Sequence, residues 1–328
     1  MFLNIAAVIL LVLAAAYLIG WYITPRPAVK LIRALFNKGA ANFSAALIKH
    51  VPADIRVQSD LNYDPEDSYV RLDIYSPPDL SPDAPTIVWM HGGGFVSGQR
   101  SDIANYLKVL AAQGFAVVNT DYTIAPEATH PAPARQVMQA LSYIDTHADS
   151  LGLNRHRLVL AGDSAGAHIA AQVAALITSS DYATTLEVAP SIKAEQLKGA
   201  LLFCGVFDAA PLMQARNPLI AGFMRIMLWA YSGQRNWHEA DSFTAHISLP
   251  RHLTPAFPPT FISSGNADPL TPQSRLMARA LREKGVAVHS LFFPEHHRPA
   301  SGHEYQFNLD TSDGQKALRE TVKWLNNI

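Results

Sequence analysis

Three histidines, His296, His297 and His303, fall in one short stretch, FFPEHHRPASGHEYQF, near the end of the chain. Histidine changes charge near neutral pH, so such a stretch can hold a metal ligand, a catalytic base, or neither. A base needs something to deprotonate. The stretch RLVLAGDSAGAHIAAQVAAL offers Ser164, set in Gly162-Asp163-Ser164-Ala165-Gly166. An apolar run precedes this motif and an Ala-rich helical run follows it. The flanking glycines permit a very tight strand-to-helix turn that leaves the serine oxygen exposed at a helix N-terminus. Without those flanks the same serine would read as a plain helix N-cap. WMHGGGF, residues 89–95, follows another apolar run. Consecutive glycines let backbone N–H groups face a site with no Cβ in the way. Gly93 and Gly94, with the N–H of Ala165 just after the serine, form a candidate cradle for the oxygen of a tetrahedral intermediate. The chemistry these residues suit is acyl transfer through a serine.

A nucleophilic serine also needs a group that orients its base. After Ser164, PTFISSGNAD leads to Asp268-Pro269-Leu270, and a carboxylate just past a strand's carboxyl end lies on the rim that holds the elbow. Asp241, Asp310 and Asp313 are alternatives, but none follows an expected strand. The base then comes from the loop after VAVHSLFFP, the stretch with three histidines. His296 and His297 stand at the start of that loop, and His303 stands farther along, where the chain can reach the rim. His303 is therefore the expected base, with His297 next; the alternative for His296 and His297 is a solvated loop pair.

The rest of the composition narrows the classes. Net charge is −1, which leaves no nucleic-acid footprint. Cys204 is the single cysteine, so no internal disulfide can form. The chain has 13 histidines, but they are scattered and no Cys-x-x-Cys or His-Glu-x-x-His spacing occurs, so neither a metal site nor a cofactor is expected. The triple glycine is not followed by Gly-Lys-Ser/Thr, and no G-x-G-x-x-G opens a helix, which argues against nucleotide binding.

The elements that must position these residues alternate. YVRLDIYSP, TIVWM (86–90), FAVVNTDY (115–122), RLVLAGD (157–163), GALLFCGVFD (199–208), PTFISSGNAD (259–268) and VAVHSLFFP (286–294) read as strands. Helical segments lie near 101–113, 132–149, 165–178, 271–284 and 312–327. This is the pattern of a mostly parallel sheet with helices on both faces. About fifty residues after Asp208 break the rhythm. LIAGFMRIMLWAY, 219–231, is apolar on nearly every face except at Arg225, as a covering helix would be. We expect an inserted cap over about 209–250, with Phe223, Met227 and Trp229 shaping an apolar pocket. The segment 31–50 is helix-compatible, with an interruption at Gly39.

The N-terminus differs in kind. Phe2–Ile23 carries no charged side chain. As a helix it would reach about 33 Å, enough for a hydrocarbon core of about 30 Å. Trp21 and Tyr22 at its end suit an aromatic belt, and the basic residues that follow, with no acid before Asp54, suit the cytoplasmic side of a membrane. The expected organisation is a membrane anchor over 1–24, a linker and cap helices over 25–55, and a catalytic body over 56–328. The alternative is a signal peptide cleaved on export.

Residues 84–310 resemble the hormone-sensitive-lipase-like group of α/β-hydrolases. The resemblance rests on His91-Gly92-Gly93-Gly94, DYTIAPE at 121–127, Gly162-Asp163-Ser164-Ala165-Gly166 and Asp268-Pro269-Leu270, in that order. It implies an α/β-hydrolase fold with a helical cap and a cofactor-free serine esterase acting on a small-molecule acyl ester. It also implies Ser164, Asp268 and His303 as the triad, since the family's base precedes an aromatic-containing segment. This sequence departs from the family at Thr271-Pro272-Gln273, where acidic residues are usual, in the longer loop before His303, and in the leading apolar segment. The other readings are a non-catalytic receptor for a small ligand on the same scaffold, and hydrolysis of an amide or carbonate.

Overall fold

The computed structural model describes residues 20, 22–67, 69–208 and 218–328. Eight strands form one sheet in the order β1-β2-β4-β3-β5-β6-β7-β8. They are β1 (Arg56–Asn62), β2 (Arg71–Ser76), β3 (Thr86–Met90), β4 (Ala116–Thr120), β5 (Leu158–Asp163), β6 (Leu197–Phe203), β7 (Thr260–Ser264) and β8 (Val288–Phe292). β2 runs antiparallel to both of its neighbours, β1 and β4, and the remaining neighbours are parallel. The helices, in chain order, are α1 (Arg26–Leu47), α2 (Arg100–Ala111), α3 (Ala132–Leu151), α4 (Ala165–Thr178), α5 (Ser180–Leu186), α6 (Pro218–Ser232), α7 (Asp241–His246), α8 (Thr271–Glu283) and α9 (Ser312–Leu325).

Each central strand is buried along its whole length, because alternate residues serve opposite faces of a covered sheet. Val88, Met90, Leu158 and Leu160 pack with α3, α4 and α8 on one side. Ile87, Trp89, Val159 and Ala161 pack with α2 and α9 on the other. The expected mostly parallel sheet between helical layers is therefore present.

Differences from the sequence expectation have local causes. β1 was not anticipated: it is an edge strand with five exposed positions, so it lacks an apolar signature. The helix expected over 31–50 begins earlier, at Arg26, and runs through Gly39 without a break. Its Arg33 explains the firmness. Its guanidinium donates to the carbonyls of Val96 (2.6 Å) and Ala125 (2.9 Å) and pairs with Glu127 at 2.5 Å. The expected membrane segment, Phe2–Ile23, lies almost wholly outside the described residues. Among the described residues no helix is long and apolar enough to cross a membrane.

Candidate active site

The order β4-β3-β5 makes β3 and β5 neighbours whose following loops diverge, the place where open parallel sheets form a crevice. Met90 pairs with Gly162 across them, so the glycine loop 92–94 lies beside the turn that carries Ser164. That turn is tight. Ser164 has φ 51° and ψ −116°, a left-handed backbone for a residue with a side chain. Its own N–H donates to the Phe203 carbonyl at 2.8 Å. A Cβ on Gly162 would meet the Gly166 carbonyl at 2.5 Å, and one on Gly166 would meet the His91 carbonyl at 2.5 Å. Both glycines are there because backbone passes too close for any side chain.

Three side chains then form a line. His303 Nε2 lies 3.1 Å from Ser164 Oγ, and His303 Nδ1 lies 3.0 Å from Asp268 Oδ2. Asp268 is almost fully buried, with its carboxylate held by the Ser264 hydroxyl at 2.9 Å and the Leu270 N–H at 2.8 Å. The histidine side chain keeps 34% of its surface accessible, so this line ends in an open cleft. Burial alone would lower the His303 pKa. The Cys204 sulfur, Asp268 and Glu304 around it outweigh burial and hold it well above the ordinary histidine value. Cys204, Asp268 and His303 lie within 4.8 Å of one another and form the one grouping of metal-ligating side chains found among the described residues. Both imidazole nitrogens in that group are already committed, to Ser164 and to Asp268.

The other two histidines of the stretch stand elsewhere. His296 is exposed. His297 is no solvated loop residue: it bonds Asp313 at 2.6 Å and stacks on Phe293. Asp313 also accepts from Ser301 at 2.5 Å, and the Asn266 side chain bridges the His297 carbonyl (3.2 Å) and the Ser301 N–H (2.9 Å). The long loop is thus pinned to α9 and to the turn after β7 before it delivers His303. Asp310, another alternative carboxylate, pairs with Lys49 and His50 far along the surface.

Glycines 93 and 94 have φ of 115° and 63°. Among the described residues, neither of their N–H groups has a hydrogen-bond acceptor. Asp163 supports this loop from behind. The Trp89 indole donates to it at 2.8 Å, and the Gly92 backbone bonds it as well. Burial, reinforced by the charge of Glu304, pushes the Asp163 carboxyl well above the usual carboxylate range. Tyr122 is structural, as it stacks on His91 and donates to the His91 carbonyl at 2.8 Å.

Two features escaped the sequence. Glu304 follows His303 with φ 57°, and its Oε1 lies 3.6 Å from His303 Nε2, the nitrogen that faces Ser164. Its adjacency to the histidine was the available signal, but its direction depends on that left-handed backbone. Gln273, one of the residues where the chain departs from the family's acidic pattern, accepts the N–H groups of Phe207 and Asp208 at 2.9 and 2.8 Å. A neutral amide there fixes the turn after β6.

A cavity of about 410 Å³ opens above Ser164. Gly93, Gly94, Ala165 and His303 line its floor, and Leu35, Phe36 and Phe43 of α1 face Ile220, Phe223 and Met227 of α6 across it. The Phe36 and Phe223 rings join the two helices, with centroids 5.6 Å apart. Trp229 does not line the cavity, which corrects the expectation for that residue. Two positions along a helix turn the side chain about 200° from Met227, and Trp229 faces Arg235 instead. Met224 and Leu228 line the cavity in its place.

Comparison with known proteins follows the same outline. A family model described as alpha/beta hydrolase fold matches residues 87–298. The chain is 29% identical to an acetyl esterase of Salmonella choleraesuis (strain SC-B67) over 217 residues, 65% of this chain. It spans 64% of the length of that relative. Esterase B from Lactobacillus Rhamnosis (HN001) superposes with a TM-score of 0.77 at 21% identity, covering 92% of this chain and 95% of that one. An esterase from Pyrobaculum calidifontis gives 0.74 at 22% identity, covering 91% and 92%. At such identities the structural likeness is one of fold.

Proposed function

We propose, for a chain that belongs to the alpha/beta hydrolase fold family, the activity of a serine carboxylic ester hydrolase that forms an acyl-enzyme on short- to medium-chain esters. The observation that carries this reading is the unbroken line Ser164 Oγ–His303–Asp268, with contacts of 3.1 and 3.0 Å, at the floor of an apolar cavity. In this reading His303 Nε2 takes the proton of Ser164 as Oγ attacks the ester carbonyl. Asp268 accepts the bond from Nδ1 and stabilises the imidazolium that forms. The N–H groups of Gly93, Gly94 and Ala165 receive the developing oxyanion, a site for which uncommitted donors are required. Collapse of the intermediate releases the alcohol, protonated by His303. Water then enters, gives its proton to the same nitrogen and releases the acid, regenerating Ser164. The acetyl esterase relative supports the ester bond over the amide.

The test is a series of aryl esters of increasing acyl length, hydrolysed by the parent and by Ser164→Ala. Turnover that falls off past a medium chain, and vanishes in the variant, supports the reading. Turnover that persists in Ser164→Ala removes it. We further propose that Phe2–Ile23 holds the body at a membrane, on its uncharged composition alone. The full chain should then resist carbonate extraction from membranes, and release into the soluble fraction without cleavage would contradict it.

A further inference from the structure

The mouth of the cavity is built from a helix whose outer face exposes two leucines beside a lysine. On α1, Leu31, Leu35, Lys38, Asn42 and Ala45 follow one another at steps of four and three residues, so they share one face. All five are exposed. Leu31 and Leu35 keep 56% and 64% of their surface accessible. Phe43, at 49%, and Leu35 do two things at once: they face solvent and they line the cavity. The rim of the active-site entrance is therefore continuous with this face.

Three further observations say what covers it. No acidic residue occurs before Asp54, so nothing on α1 repels an anionic surface. Of its four cations, Arg26 and Arg33 are engaged with Glu127, whereas Lys30 and Lys38 are exposed on the outer side. The chain also enters α1 directly from an uncharged apolar stretch, Phe2–Ile23, whose last residues Tyr22 and Ile23 are 65% and 69% exposed. With only Thr24 and Pro25 between them, whatever solvates that stretch lies within a few residues of α1.

We infer that the outer face of α1, and with it the mouth of the cavity, lies on an anionic phospholipid surface. Leu31, Leu35 and Phe43 enter the boundary of the acyl region, and Lys30 and Lys38 reach the head groups at the ends of their long apolar stems. Each such lysine favours binding roughly fivefold. Resting on the ester-hydrolase reading, one consequence follows for the substrate class: esters that partition into the bilayer reach Ser164 without crossing water.

The buried Cys204 makes a direct test simple, since a second cysteine can be labelled alone. Leu31→Cys, which lies outside the cavity lining, carries an environment-sensitive nitrobenzoxadiazole dye in the full chain. Lys198→Cys, exposed at the amino end of β6, the end of the parallel strands away from the cavity, carries the same dye as a control. Vesicles of phosphatidylcholine with one-quarter phosphatidylglycerol should brighten and blue-shift the dye at position 31 several-fold and leave position 198 unchanged. Lys30→Glu/Lys38→Glu should weaken that response. No change at position 31, or equal change at both positions, overturns the inference. So does a response that appears on raising protein concentration without vesicles, because a second copy would then cover the face. The dye reports contact whether or not the protein hydrolyses esters. The substrate consequence is read separately: Lys30→Glu/Lys38→Glu should lose rate on an ester held in vesicles and keep it on a water-soluble ester. Equal loss on both overturns the consequence, and no hydrolysis of either by the parent removes the ester reading instead.

Discussion

Glu304 sits on the side of His303 where a simple relay has only the serine. Its carboxylate is 3.6 Å from Nε2 and favours the imidazolium there. A general base must be neutral to accept the serine proton. The acid limb of kcat/KM should therefore lie above the ordinary histidine value, and Glu304→Gln should move it to lower pH, because a stabiliser of the charged form has been removed. A pH-rate profile of the two proteins checks this, and an unmoved limb would assign Glu304 to loop geometry alone. The three histidines separate in the same assay. His303→Ala should lose roughly three orders of magnitude in turnover, the scale of removing a triad member. His297→Ala should stay within a small factor of the parent but unfold more easily, by on the order of 1 kcal/mol, since its bond to Asp313 pins the loop. At this scale much of the site could be read in advance. Ser164, Asp268 and His303 each follow a recognisable apolar strand, and the structure brings them into line. Glu304 could not be read, because only a left-handed backbone turns it back toward the imidazole.

Helices and loops decide what enters. In the proposed mechanism the glycine loop presents two N–H groups, and its backbone leaves no room for side chains. A Cβ on Gly93 would meet the Ser97 carbonyl carbon at 2.5 Å with φ already at 115°. Gly93→Ala should lower turnover about 10²–10³-fold with little change in KM, as losing an oxyanion donor does. Steady-state kinetics on one ester decide it. Across the cavity, Phe223→Ala and Met227→Ala should shift preference toward longer acyl chains, whereas Trp229→Ala should leave the chain-length profile unchanged. An equal shift in all three would mean the helix acts as a whole. The sequence located α6 but not its inner face, since a helix apolar nearly all round has no readable stripe. The central strands were legible for the opposite reason: burial on both faces leaves an unbroken apolar run. β1, exposed along most of its length, left no such mark.

At the scale of the whole molecule, the sheet serves as a jig. β3, β5, β7 and β8 end on one edge, and their following loops carry the glycines, the serine, the aspartate and the histidine respectively. Parallel strands in a fixed register place four loops that are distant in sequence around one cleft, and α1 and α6 close over it. The order of these loops was readable because each motif keeps its place in the strand–helix alternation. The tie of α1 to the body was not, because Arg33 reaches partners near residues 96 and 125. The most direct measurement of the account is covalent. A fluorophosphonate ester reacted with the full chain, followed by peptide mass spectrometry, should place a single adduct on Ser164, with labelling strongly slowed in His303→Ala. Labelling at another residue, or full labelling of Ser164 at the parent rate without His303, would contradict it.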